Sequence, residues 1–341
     1  MRKEACGHLR NGLMLYWRGL SKSPIQSQVS KHKQGTAFQE AVRGFIKRHS
    51  RKKIHTPMIP LEIQKAAEDM PSVSPVLGKI HTMSRDMETS PRDLVKIIML
   101  DPTLTAQVLK LVNSSFYGLA QRVSSLSQAV VLLGINTVRN IALSTALLST
   151  VFLRDRRSPI PPDAFWRHCL GTAVACKMLV RACGADSETS EQYFVAGMLH
   201  DIGKILFIRC DPVRYEQALS ESTTYGVRLC FAEQALFGCT HMQAGAVLAQ
   251  TWNLHSTLTE AIEHHHNPRS ATSPIVAIGN NFCKQAGIGA SGDTVVEEYA
   301  ENAAAHLGLQ HTLTEQFSHA ILKEINRAVT FLRPAQEEAS S

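Results

Sequence analysis

The chain has 341 residues, of which 44% are hydrophobic and 19% charged, and a formal net charge of +7. That length gives one large domain or two modest ones an ample core, and the composition is that of an ordinary globular protein. Aromatic residues are only 6% of the total. Ala, Leu, Ile and Val supply most of the apolar volume, which suits helix-on-helix packing better than a β-sandwich.

The charge is concentrated at one end. Residues 1–55 hold 13 Lys/Arg against Glu4 and Glu40, a balance of +11, which leaves 23 Lys/Arg against 27 Asp/Glu, or −4, for the rest. The sequence therefore predicts a basic, poorly ordered arm over 1–59 ahead of a mildly acidic body. The sequence offers no recognised DNA-reading motif, and nucleic acid would be met, at most, through the basic stretch 1–55. Arg10 and Arg18 interrupt the apolar residues there, so no signal-peptide core forms. The longest uncharged apolar stretch, Asn140 to Leu153, is shorter than the ~20 residues of a membrane span. The eight cysteines contain no C-x-x-C pair. Free thiols in a reducing cytoplasm are the expectation.

From about residue 60 the chain reads as successive amphipathic helices. Ser90-Pro91-Arg92-Asp93 offers an N-cap, a proline at the first helical position and an acid in the first turn. Asp101-Pro102 repeats the device, with Leu104, Val108, Leu109 and Leu111 at helical spacing. Ser125 is placed to cap a helix over Leu126–Leu133 that Gly134 ends, and a long apolar helix follows over 137–153. Residues 154–163 contain three prolines among charges and form a helix-breaking linker. The expected organisation is all-α: a first helical lobe over 60–153, the linker, a second lobe over 164–333, and a frayed polar tail over 334–341. The second-lobe helices are placed at 164–182, 191–208, 213–223, 230–237, 241–252, 257–266, 273–286, 293–305 and 313–331.

The most specific chemical feature is Leu199-His200-Asp201-Ile202-Gly203-Lys204, within the predicted helix 191–208. Adjacent His and Asp offer an imidazole nitrogen and a carboxylate oxygen, a pairing that suits a divalent transition metal. His168, His241 and the run His264-His265-His266 lie on other predicted helices. Taken singly, His168 fits a hydrogen-bonded core residue, His241 a helix start and the triple histidine a polar C-terminal turn. Their joint order is what points to a site in a bundle interior.

His168 followed by His200-Asp201 resembles the opening of the HD superfamily of metal-dependent phosphohydrolases, and Ala196 to Lys204 is similar to its central motif. His241 and His265-His266 resemble the extra ligands of its binuclear HD-GYP branch. In the first lobe, Met70 to Leu77, Asp101-Pro-Thr-Leu-Thr105, Asn113-Ser114 and Ser124 to Gly134 are similar to the HD-related output domain (HDOD) family. Phe237-Gly238, Trp252 and His265-His266-Asn-Pro268 fit it too. The resemblance covers roughly 60–290 and implies a multi-helix bundle of two packed lobes in a cytoplasmic bacterial signalling protein that acts through protein partners. The implied metal residues are His168, His200, Asp201, His241, His265 and His266, holding one divalent ion such as Fe, Mn, Zn or Ni.

Two departures bear on chemistry. Asn280 stands at the place of the closing Asp, and Ala164 where the binuclear branch has a Glu one turn before the first His. Fewer carboxylates weaken the hold on hard cations and disfavour a bridged pair. One metal on His168, His200 and Asp201 remains reasonable, with little or no catalysis. The alternative is a metal-dependent phosphohydrolase or cyclic-nucleotide phosphodiesterase in which Lys204 neutralises developing charge.

Overall fold

The computed structural model describes residues 59–69, 90–113, 117–152, 158–252, 254–267, 272–296 and 315–330, and every regular element among them is an α-helix. The basic stretch 1–55 and the tail 334–341 lie outside the described residues.

The first five helices are α1 (Leu61–Glu68), α2 (Pro91–Met99), α3 (Pro102–Val112), α4 (Leu126–Leu133) and α5 (Ile135–Phe152). Their starts are set locally. Ser90 Oγ accepts from Asp93 N at 3.3 Å, Asp101 Oδ1 from Leu104 N at 3.0 Å, and Ser125 Oγ from Gln128 N at 3.2 Å. Each side chain thereby satisfies an amide that the first helical turn leaves open. Gly134 ends α4 at φ 83°, where a side chain would be strained. Asn113 pins the crossing from α3 to α4, donating to Val123 O at 2.8 Å and accepting from Val123 N at 2.7 Å. Helices α2 to α5 pack on one another, but α1 packs elsewhere, as follows.

The second set is α6 (Pro162–Ala182), α7 (Ser187–Leu199), α8 (Gly203–Cys210), α9 (Pro212–Tyr225), α10 (Leu229–Phe237), α11 (His241–Thr251), α12 (Ser256–His264), α13 (Ser273–Ala286) and α14 (Glu315–Thr330). Helix α6 is its axis, packed against α7, α13 and α14, and every residue from His168 to Lys177 is buried. A helix enclosed on all sides has no solvent stripe to display, which explains its weakly periodic, small-residue sequence. Helix α5 packs on α7, and α1 lies on α8 and α11. One apolar core therefore runs from Ile63 and Leu94 through to Ile321 and Ile325.

Two expected helices differ. The span predicted as one helix, 191–208, breaks at His200–Ile202 into α7 and α8, with Lys204 N bonded to Asp201 O and Ile205 N to Ile202 O. The cause lies in another helix. A Cβ on Gly203 would collide with the His241 carbonyl oxygen and stand 2.5 Å from Gly245 N, so α8 starts in backbone contact with α11. Of the helix expected over 293–305, residues 293–296 are irregular backbone and the rest lie outside the described residues.

Candidate metal centre

Four places in the chain supply the cluster. His168 sits in the second turn of α6, and His200-Asp201 occupies the break between α7 and α8. His241 opens α11 behind the N-cap Thr240, and His265-His266 follows the last turn of α12. The Thr240 capping box, in which Gln243 Oε1 accepts from Thr240 N at 2.9 Å, fixes the angle at which His241 enters.

These six residues form two groups that share Asp201. His168, His200 and Asp201 are one, and Asp201, His241, His265 and His266 the other, each with its donor atoms within 4.8 Å of one another. Asp201 Oδ2 lies 3.3 Å from His200 Nε2 and 3.7 Å from His168 Nε2. Asp201 Oδ1 lies 3.4 Å from His241 Nε2 and 3.5 Å from His265 Nε2. His241 Nε2 is 3.3 Å from His265 Nε2 and 3.1 Å from His266 Nε2.

Hydrogen bonds on the far side of each ring assign the tautomers. His200 Nδ1 donates to Gly197 O at 2.7 Å, His265 Nδ1 to Ile262 O at 2.8 Å, and His241 Nδ1 to Glu233 Oε2 at 2.6 Å. Each of these rings therefore turns its Nε2 toward the other rings and toward the Asp201 carboxylate. Burial pushes His168 and His265 down to about 3, with nearby His200 adding to the effect, so both rings are neutral at pH 7. Burial likewise holds His266 well below the ordinary range, helped by His265. His168 and His265 therefore do not meet Asp201 as ion pairs. Converging lone pairs repel, and a cation between them removes the repulsion.

The orphaned atoms agree. His168 Nε2, His200 Nε2, Asp201 Oδ1 and Asn280 Oδ1 are buried and make no hydrogen bond. Unpaired buried polar atoms each cost roughly 1–3 kcal/mol, and an ion held on Asp201 relieves part of that cost. Imidazole nitrogen with one carboxylate oxygen suits Zn, Fe, Mn or Ni better than Mg or Ca. The donor set fits a divalent transition metal.

Three charged groups around the cluster were not singled out by sequence reasoning. Glu233 on α10 accepts from His241 N at 2.8 Å and from Tyr215 OH at 3.1 Å as well as from the ring. It is the lone charge in α10, Leu229-Cys-Phe-Ala-Glu-Gln-Ala-Leu-Phe237, and that isolation was its available signal. Lys284 and Asp293 form a second, buried pair at 2.7 Å. Lys204 donates to Asp201 Oδ2 at 2.7 Å and to Ser291 O at 3.0 Å. Burial alone would lower the Lys204 ammonium, but Asp201, Asp293 and Glu233 outweigh it and raise its pKa. Burial alone would raise the Asp201 carboxyl, but His200 and Lys204 hold it well below the carboxylate range. Ala164 leaves no carboxylate one turn before His168; its carbonyl accepts from Ala290 N at 2.9 Å.

A carboxylate behind a ligating imidazole fixes ring and tautomer and raises ligand basicity. Glu233→Gln keeps the shape but removes that charge. It is expected to weaken metal affinity by about 10- to 100-fold, read by competition with a chromophoric chelator, with the melting temperature of the metal-stripped protein little changed.

Residues 70–268 match the model of the HDOD domain. A protein of Treponema pallidum (strain Nichols) described as uncharacterized is 26% identical over 216 residues, 62% of this chain but only 40% of that protein's own length. Among solved structures, an HDOD domain protein of unknown function from Geobacter sulfurreducens superposes with a TM-score of 0.57 at 23% identity, over 86% of this chain and 95% of that one. A protein from Marinobacter aquaeolei VT8 provisionally named for signal transduction gives 0.62 at 21% identity, over 86% and 64%. One from Shewanella amazonensis SB2B provisionally named a metal-dependent phosphohydrolase gives 0.53 at 14% identity, over 88% and 100%. At these identities the structural likeness speaks to the fold alone.

Proposed function

This chain belongs to the HDOD family, and we propose that it works as a cytoplasmic regulatory output protein that acts on protein partners, its HD-type cluster serving as a closed metal centre rather than as a turnover site. The observation that carries this reading is enclosure. His200, Asp201, Lys204, His241 and His265 are each 0% exposed. A phosphodiester has to reach the ligand atoms, and a hydrolytic centre keeps a position open for water or substrate. Here Lys204 already donates to Asp201 and to a backbone carbonyl.

Charge supports one ion. Leaving the imidazoles aside, Asp201, Glu233 and Asp293 stand against Lys204 and Lys284, a formal balance of −1 in a buried region. One divalent ion brings that to +1, two bring it to +3, and uncompensated buried charge is costly. Position follows from Lys204. It neutralises Oδ2, the oxygen that faces His168 and His200, whereas Oδ1 accepts no hydrogen bond. We therefore assign the ion to His241, His265, His266 and Asp201 Oδ1. A bound divalent ion would act as a Lewis acid and lower the pKa of any water it held. The chain's own residues orient the ligands and exclude solvent.

The interaction role is supported by the first lobe, where Met99, Leu100, Val131 and Leu132 are exposed on or at the ends of α2 and α4. Among the described residues no helix is long and apolar enough to cross a membrane. The competing reading, a metal-dependent phosphohydrolase, is favoured by one feature: Asp201 is shared between two ligand groups, as a bridging carboxylate would be. Metal analysis of untagged protein and a phosphodiesterase screen separate the two. We expect about one transition metal per chain and no hydrolysis of cyclic dinucleotides or nucleotide phosphates. Two metals per chain, with hydrolysis lost in His200→Ala or Asp201→Ala, would make the protein an enzyme.

A further inference from the structure

Residues 287–296 leave α13 and cross the N-terminal turn of α6. Ala290 N donates to Ala164 O at 2.9 Å, and Gly289, at φ 65°, sits so low over His168 that a Cβ would collide with its backbone nitrogen. This strap meets the two buried lysines beside the His/Asp cluster. Ser291 O accepts from Lys204 Nζ at 3.0 Å, and Asp293 Oδ2 accepts from Lys284 Nζ at 2.7 Å. Asp293 Oδ1 accepts from Val295 N at 3.2 Å, and Lys284 Nζ reaches Val295 O at 3.4 Å. The Lys284 and Asp293 side chains are 2% and 1% exposed.

Both lysines act on the same surroundings. Against the opposing effect of burial, the charges of Lys284 and Lys204 hold the Asp293 carboxyl below its ordinary range. Lys284 lies one turn beyond Asn280 on α13, so both fall on one face of that helix. Two ammonium groups therefore converge near the cluster, and the strap supplies partners for both. Buried ammonium groups need an anionic or carbonyl partner. Nothing in that need requires the partner to be covalently part of the chain, and a tetrahedral oxyanion offers the same acceptors with more charge.

We propose that the strap is an intramolecular plug: the Asp293 carboxylate occupies an anion site formed by Lys284 with Lys204 at the edge of the His/Asp cluster, and lifting the strap opens that site to a small oxyanion such as inorganic phosphate. Neither Lys284 nor Asp293 is a candidate metal ligand, so the plug and the metal assignment fail separately.

The test uses the full chain as purified, with metal content measured in every sample and inorganic phosphate as the probe at constant ionic strength. While the plug is closed, apparent affinity is reduced by the fraction of open chains. Asp293→Asn, which removes the charge and keeps the shape, is expected to bind phosphate about tenfold more tightly than the wild type. Lys284→Met added to it removes the gain. An Asp293→Asn protein with native circular dichroism and wild-type phosphate affinity overturns the proposal, as does a double variant that keeps the gain. Should Asp293→Asn not fold, the wild-type chain decides the matter. Phosphate must then speed amide hydrogen exchange across 287–296 relative to chloride, and unchanged exchange overturns the plug.

Discussion

Gly203→Ala is expected to cost the protein much of its stability, about 3 kcal/mol or more. A single methyl is the smallest possible addition, yet it meets backbone on every side: the His241 carbonyl, Gly245 N at 2.5 Å and Gly245 Cα at 2.9 Å. Flexible side chains can swing away from an inserted methyl, but two helices in backbone contact can only separate. Separation of α8 from α11 moves His241 away from Asp201, so metal affinity should fall in parallel with the urea midpoint. A variant with the wild-type midpoint would show that α8 can step back freely and that the contact is not structural.

Metal-stripped protein should lose stability steeply as the pH falls from 6.5. The sign follows from where each state takes up protons. In the unfolded chain a histidine protonates near 6.5, whereas in the folded chain burial first, then nearby His200, push His168 and His265 down to about 3. Between those limits the unfolded state binds more protons, so its free energy falls relative to the folded state as pH drops. The loss is about 1.4 kcal/mol per pH unit for each such histidine. It is absent above pH 6.5 and complete near 3. His266, also depressed, adds in the same direction. Asp201 adds its own loss only below the ordinary carboxylate range, where its protonation in the unfolded chain begins. Denaturant midpoints between pH 7 and 4.5 therefore isolate the histidines. His168→Asn should flatten the slope by one histidine's share, and an unchanged slope would mean that His168 is not held neutral by the fold.

What the sequence made legible depended on how far each cause acts along the chain. Ser90, Asp101 and Ser125 were readable as caps because the group each satisfies is three residues away. The histidines were readable through their order, since each sits at a helix start, a helix end or within an apolar helix, and the structure gathers them around one carboxylate. The break at His200–Ile202 was not readable. Helical spacing continues through it, and the constraint comes from the backbone of α11. Glu233 was passed over because no spacing rule links it to His241; its role exists only once α10 and α11 fold against each other. Asp293 was placed in a helix because its neighbourhood lacks strong breakers after Gly292, yet the demand of Lys284 draws it into the strap.

The placement of α1 has a mechanical consequence. Although it precedes α2 to α5 in the chain, α1 packs on α8 and α11, and Glu62 pairs with Arg214 Nη2 of α9 at 3.0 Å. The chain thus visits the second lobe, leaves to build the first, and returns at α6. The first lobe is consequently slung between two anchors, one before it and one after it, with α5 pressed on α7 between them. A shift of α1 therefore bears directly on α8 and α11, the pair of helices whose contact at Gly203 sets the position of His241.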